Sequence, residues 1–195
     1  MYVHTKKTRE NSKGRRTVLG LTVLELLIVL AAMGIVVLVS VPGGTYLLEK
    51  YRLKSTSNQL LTGLELARSE AQFRNSTVVV CPSSNGHSCR RDNNWNHGWV
   101  VFTDGNGNGT VEDIELIKSF AAPHEAVVIE ASGAIHNRAQ FTATGLYSDS
   151  ENTTGQFKVC LNESSSEPRV VKVEQDGWVQ IIPPHGEICN GDLES

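Results

Sequence analysis

The sequence lacks the usual signatures of catalysis. It holds no nucleophile elbow, no Walker loop, no dinucleotide fingerprint and no H-E-x-x-H motif. The recurring arrangements for acyl transfer, phosphate binding and zinc-peptidase chemistry are therefore missing. No C-x₂-C pair occurs among the four cysteines, which removes the usual zinc-site spacing. His87, His97, His124, His136 and His185 are scattered and read as ordinary polar residues. Glu112 and Asp113 adjoin in a turn-rich stretch, where solvated charge accounts for them. N-x-S/T triplets, as at Asn152, are short enough to arise by chance. No internal repeat or long low-complexity tract appears. The reading is a non-enzyme with no catalytic residues.

Positive charge is scarce after residue 20. Residues 1–20 carry Lys6, Lys7, Arg9, Lys13, Arg15 and Arg16 against one acid, Glu10. The remaining 175 residues hold 12 basic and 20 acidic side chains, a net charge of −8 with histidine neutral. A general nucleic-acid binder would show a basic face. The basic N-terminal flank predicts that this end stays cytoplasmic.

Charge is almost absent from the stretch that follows. Leu21–Val41 is 21 residues long, and Glu25 is its one ionisable side chain. As a helix it covers about 31 Å, one bilayer core. A carboxylate there costs about 2.5–3.5 kcal/mol at mid-bilayer and calls for a partner. Two plain readings are a secretory signal peptide and a simple signal anchor. Glu25 inside the apolar run opposes the first, as does the absence of an A-x-A site before polar sequence. Neither explains Gly20, Glu25 and Pro42 together.

Gly20-Leu21-Thr22-Val23-Leu24-Glu25 resembles the class III signal of type IV pilins and pseudopilins. The resemblance implies cleavage between Gly20 and Leu21 by a prepilin peptidase, and N-methylation of the Leu21 amine. Many members have Phe where this chain has Leu21. Pro42 falls where these proteins usually carry a helix-kinking proline. The stretch Leu60-Leu61-Thr62-Gly63-Leu64-Glu65-Leu66-Ala67-Arg68-Ser69-Glu70-Ala71 is similar to a segment of the GspH/FimT-type minor pseudopilins, and so is Trp95-x-x-Gly98-Trp99-Val100-Val101-Phe102-x-Asp104.

The pattern of the chain agrees with an α+β arrangement. Leu53, Leu60, Leu64, Ala67 and Ala71 recur at helical spacing as one apolar stripe. Beyond Asn75 the period becomes that of strands, predicted over Thr77–Cys81, Gly98–Phe102, Ile114–Phe120, Ala126–Glu130, Ala139–Thr142, Gly155–Leu161, Arg169–Glu174 and Trp178–Ile182. Asn162–Glu167 reads as an exposed loop. The resemblance implies a pilin-like fold, with a long N-terminal helix packed on a C-terminal antiparallel β-sheet domain. The segments are then a leader (1–20), a transmembrane or filament-core helix (21–42), its amphipathic continuation (43–75) and a periplasmic β-rich domain (76–195).

An even number of cysteines in an exported domain predicts disulfides. Of three connectivities, Cys81–Cys89 with Cys160–Cys189 is favoured, because each pair brackets a local loop or hairpin. Each would contribute about 2.5–3.5 kcal/mol on the chain-entropy account.

Residues 104–115 fit the twelve-residue EF-hand loop pattern. Asp104, Asn106 and Asn108 fall at positions 1, 3 and 5, Gly109 at the sharp turn, Thr110 at position 7 and Glu115 at the bidentate position. Val111 supplies the apolar eighth residue. The flanks disagree, because Gly98–Phe102 enters as a strand. The loop reads either as a calcium site or as a hairpin connection in which Gly and Asn supply positive φ. No other cofactor is expected.

Function follows from the resemblance: a minor pilin or pseudopilin of a type IV pilus or type II secretion pseudopilus, in the tip complex, active in assembly initiation. Its implied partners are other minor pilins or pseudopilins, the major pilin, the prepilin peptidase and the inner membrane. It would sit in the bacterial inner membrane as a single-pass protein and enter the filament on assembly. Glu25 would neutralise the Leu21 amine, its own or a neighbour's. The alternative is a pilus-borne DNA receptor for transformation. Here the strand that matches the family's DNA-binding stretch is Gly177-Trp178-Val179-Gln180-Ile181, without arginine, so DNA is not an expected partner.

Overall fold

The computed structural model describes residues 22–135, 137–148, 154–162, 167–184 and 189; side chains 36–46 lie outside the described residues. Gly20, Leu21, His136, Asn152, His185 and the centre of the 162–167 loop lie outside them as well. Two compact units emerge, Met1–Gly43 and Gly44–Ser195. One helix, α1 (Val23–Arg74), contributes to both.

In the first unit Thr22 starts the helix. Its Oγ1 accepts a hydrogen bond from the Glu25 N–H at 3.2 Å, and its carbonyl accepts the Leu26 N–H at 3.1 Å. This is N-cap geometry, in which a side-chain oxygen satisfies a donor of the first turn. Glu25 itself stands exposed in that turn, where a negative charge suits the helix dipole. Val23, Leu24, Leu26, Leu27, Ile28, Val29, Leu30, Met33 and Ile35 are all exposed. A helix apolar on every side is one that lipid or other helices must cover. Among the described residues no helix is long and apolar enough to cross a membrane. Of the span predicted over 21–42, only 22–35 have described side chains. Pro42 falls within α1, and its side chain lies outside the described residues.

In the second unit the helical stripe becomes core. Leu53, Leu60, Leu64, Ala67 and Ala71 are each no more than 5 % exposed. The helix stops at Asn75, in the left-handed region at φ 50°. The Ser76 N–H bonds the Ala71 carbonyl at 3.1 Å, and the Asn75 N–H approaches the Gln72 carbonyl at 3.4 Å. This paired closure is a Schellman cap with Asn in glycine's usual place.

Eight strands follow: β1 (Val78–Pro82), β2 (Gly98–Thr103), β3 (Leu116–Ala121), β4 (Val127–Gly133), β5 (Ala139–Phe141), β6 (Gly155–Leu161), β7 (Arg169–Val173) and β8 (Val179–Ile182). They form two antiparallel four-stranded sheets, ordered β3-β2-β1-β5 and β4-β6-β7-β8. One core gathers the helical stripe with Val78, Val80 and Val101 of the first sheet and Ile129, Phe157, Val159, Val171 and Val173 of the second. The other face of the first sheet carries a smaller core of Val79, Cys81, Val100 and Phe102, covered by Cys89, Val111 and Leu116. β1 is thus buried on both faces, so its sequence is a continuous apolar run rather than an alternation.

Two strand limits differ from the sequence reading by more than one residue. The third strand begins at Leu116, not Ile114. The Glu115 and Leu116 N–H groups both bond the Glu112 carbonyl in a tight turn, which leaves Ile114 91 % exposed. The fourth strand continues to Gly133, because β6 supplies a partner for each residue from Val127 to Gly133. The cysteines pair as Cys81–Cys89 and Cys160–Cys189, with Cα separations of 5.5 and 5.7 Å.

Candidate functional site

The Leu60–Ala71 stretch holds the helix on its domain. Gly63 faces Trp99 and Phe120; a Cβ added there would lie 3.0 Å from Trp99 Nε1 and 3.2 Å from a Phe120 ring carbon. Trp99 and Phe120 stack at 5.3 Å between ring centroids, so the helix rests on an aromatic pair through the one glycine of the Leu60–Ala71 stretch. Arg68 Nη2 donates to the Asp176 carbonyl at 3.3 Å, and its guanidinium lies 6.0 Å from the Trp178 ring centroid. Gln72 Nε2 donates to the Thr144 carbonyl at 3.3 Å. These two side chains satisfy turn carbonyls that no strand reaches. The Arg74–Glu70 ion pair, at 2.6 Å, is an i,i+4 surface contact.

Trp95 and Trp99 are packing residues, each no more than 1 % exposed. Trp95 meets Phe157 edge-on at 4.7 Å and donates its indole N–H to Asn93 Oδ1 at 3.2 Å. A single 3₁₀ turn, Trp95–His97, carries the first of them into the core. Asn96, in the same turn, accepts the Ile129 N–H on Oδ1 at 2.6 Å. That bond satisfies a buried donor on the edge strand of the second sheet, which has a neighbouring strand on one side only. No sequence signal marked Asn96, because an isolated asparagine carries no periodicity.

The loop between β2 and β3 is closed by its own side chains. Asp104, 7 % exposed, accepts the Gly109 N–H on both carboxylate oxygens at 3.2 Å. Asn106 Oδ1 accepts the Asn108 N–H at 3.0 Å, and Asn108 Oδ1 accepts the Thr110 N–H at 2.8 Å. Asn106 and Asn108 each donate their amide group to Glu112 Oε1, at 3.3 and 3.0 Å. Gly107 and Gly109 supply φ of 70° and 66°. The polar oxygens of Asp104, Asn106 and Asn108 therefore turn toward one stretch of backbone. Among the described residues, no three His, Cys, Asp or Glu side chains are gathered as a metal site.

The cations near the last strands are mostly spent within the domain. Lys158 pairs with Glu130 at 2.8 Å, and Lys172 pairs with Glu174 at 2.8 Å. Phosphate affinity requires clustered, available cations, so the DNA reading is not favoured. Elsewhere, Arg90 binds Asp92 through Nε at 2.9 Å and through Nη2. This hydrogen bond holds the Asp92 carboxyl down at about 2 and raises Arg90.

Comparison with known proteins places this architecture. The family described as type II transport protein GspH matches residues 56–177. No curated protein matches the sequence. Among solved structures, the type IV minor pilin FimU of Pseudomonas aeruginosa is similar at 20 % identity and a TM-score of 0.55, over 72 % of this chain and 95 % of that one. The minor pseudopilin EpsH from the type 2 secretion system of Vibrio cholerae is similar at 12 % identity and a TM-score of 0.51, over 70 % and 99 %. Those likenesses show a shared pilin-like fold, and the match over more than half its length shows that the chain belongs to the GspH family of type II transport proteins.

Proposed function

We propose that this chain is a minor pilin or pseudopilin, a structural subunit and not a catalyst. The observation that carries this reading is the division of α1. Its apolar side chains are exposed over Val23–Ile35 and buried against the β-domain from Leu53 to Ala71. The first half then has the composition to leave lipid for a bundle of like helices, while the second half stays with its own domain. Membership of the GspH family supports the assembly role, and the fold shared with FimU and EpsH supports a minor rather than a bulk subunit. The specific role is initiation of assembly near the tip of a type IV pilus or a type II secretion pseudopilus, alongside other minor subunits and the major one.

Processing precedes assembly. A prepilin peptidase removes residues 1–20 and leaves a cationic, N-methylated Leu21. Until it is incorporated, the chain sits in the inner membrane with residues 76–195 in the periplasm. Glu25 neutralises a Leu21 amine, its own or its neighbour's, as helices gather. An unpaired charge in that medium costs several kcal/mol, on the order of the penalties known for buried ions, so the pairing selects the register of packing.

The experiment is Glu25→Ala in the native host, followed by mass spectrometry of the membrane fraction and of sheared filaments. The variant is expected in the membrane with Leu21 as its first residue, and missing from filaments. Normal incorporation overturns the role of Glu25. A polypeptide that still begins at Met1 in cells with an active peptidase overturns the whole reading.

A further inference from the structure

Three arginines meet at one end of the first sheet. Arg90 and Arg91 follow Cys89, which its disulfide to Cys81 ties to β1. Arg138 immediately precedes β5. The β1–β5 register, with Val80 opposite Ala139, brings it to the Cys81 end of β1. Val111, from the loop between β2 and β3, packs with Cys89 on the smaller core, which sets that loop beside the 88–91 segment. The three segments form a pocket of about 250 Å³, lined among others by Arg90, Arg91, Thr110 and Arg138.

The positive charge of this pocket is only partly matched within the domain. Arg90 is bound through Nε and Nη2 by the two oxygens of Asp92. Arg91 and Arg138 are exposed, and among the described residues neither has an ion pair or a hydrogen bond. The Arg138 guanidinium lies against bare backbone, with Nη1 3.1 Å from where a Cβ of Gly109 would stand. Like charges gathered at one pocket repel, and an anion between them relieves that repulsion. Each guanidinium offers a planar fork of donors that fits a carboxylate or a phosphate on two bonds.

Size and surrounding charge choose between those anions. The pocket, at about 250 Å³, falls below the roughly 300–1,000 Å³ of a usual small-molecule site, yet it admits the end of one side chain. Beyond residue 20 the chain carries a net charge of −8, and Asp92, Glu112 and Asp113 stand exposed beside the segments that form the pocket. A long polyanion seated here would meet those carboxylates as well as the arginines. Nucleic acid, moreover, is held by a stripe of cations rather than by one pocket. A single Asp or Glu side chain escapes both objections.

We infer that this pocket docks an aspartate or glutamate side chain of a neighbouring filament subunit, clamped by Arg91 and Arg138. It rests on the assembly role proposed above. Such a pair fixes orientation more than affinity, and so sets how the β-domain is turned toward its neighbour.

The test places a photo-crosslinking amino acid at the position of Thr110, on the pocket wall, in the native host. Crosslinked peptides are then sequenced from sheared filaments. The expected product joins this position to another pilin or pseudopilin, close to an Asp or Glu. Arg91→Glu combined with Arg138→Glu should cut the crosslink by at least about tenfold. The membrane pool and the Tm should hold, because both side chains are exposed. Replacing the partner's acid with Lys should restore the crosslink to the double variant. A crosslink that survives the double reversal, a partner segment without a carboxylate, or a failed rescue overturns the inference. So does incorporation into filaments with no crosslink, an outcome that leaves the assembly role standing. Absence of the parent chain from filaments overturns both. A low-salt gel shift of a short DNA duplex by the full-length chain in detergent micelles, lost in the double variant, would assign the pocket to phosphate and overturn it too.

Discussion

Asn96 Oδ1 accepts the backbone N–H of Ile129 at 2.6 Å, a bond between a turn that enters the first sheet and the outer strand of the second. Ile129 is 3 % exposed, so its N–H has no water to turn to. Asn96→Ala strands that donor, which costs about 1–3 kcal/mol. Asn96→Asp keeps an acceptor at the same place and should lose less. Thermal unfolding followed by circular dichroism ranks the three proteins, and an alanine variant as stable as the parent would show that the bond is idle.

Much of this architecture is written in residue spacing. The interval pattern of Leu53, Leu60, Leu64, Ala67 and Ala71 marked the face that is buried. Runs such as Thr77–Cys81 marked strands, because β-branched residues bounded by turns have few other uses. What spacing did not carry was the partition into two sheets, since register depends on which strands meet and not on any one of them. Ile114 misled for a related reason. An apolar residue beside Leu116 and Ile117 extends a strand pattern, whereas the Glu112 turn spends the backbone groups that pairing would need. Single polar contacts, such as Thr22 at the helix start and Arg68 on the Asp176 carbonyl, were equally silent. Each is one side chain answering one backbone group, and the group it answers is known only once the chain has folded.

Gly63 sits where α1 meets Trp99 and Phe120. Alanine there gains about 1 kcal/mol of helix propensity but presses a methyl group to within 3.0 Å of Trp99 Nε1. The two effects nearly cancel, and Gly63→Ala should unfold within a few degrees of the parent. A branched side chain cannot be absorbed in the same way. Gly63→Val should lose about 1–3 kcal/mol through overpacking and should disturb the Trp99 fluorescence, which is held by its stack with Phe120. Unchanged fluorescence and Tm in the valine variant would mean that the helix can ride off the sheet at little cost.

The Arg90–Asp92 pair gives a local acid transition. Asp92 is held at about 2, below its ordinary 3.8, chiefly by the hydrogen bond from Arg90. A depressed carboxyl stabilises the folded form above its ordinary value and loses that contribution as pH falls toward its folded one. The window is therefore from about pH 4 down to about pH 2. Asp92 is exposed and Arg90 half-buried at the surface, so water screens the pair and the global Tm at pH 7 should hardly respond to Asp92→Asn. The direct measurement is an NMR titration of the Asp92 carboxyl carbon. A midpoint near 3.8 would mean that Arg90 does not hold it in solution.

Glu25 has two separable uses, and substitution can part them. It stands three residues after the N-cap Thr22, a position where Glu and Gln serve alike in starting a helix. It also brings the single negative charge of Leu21–Val41. Glu25→Gln keeps the length, the amide-compatible geometry and the helix start but removes the charge. If the residue acts only in helix initiation, the glutamine variant will enter filaments as the parent does. If it neutralises a Leu21 amine, the glutamine variant will be processed and stay behind in the membrane, while Glu25→Asp, shorter but charged, will recover part of the incorporation. Quantifying each variant in sheared filaments against its membrane pool decides between these outcomes, because a helix-start defect would lower the membrane pool itself, whereas loss of charge pairing changes only the ratio.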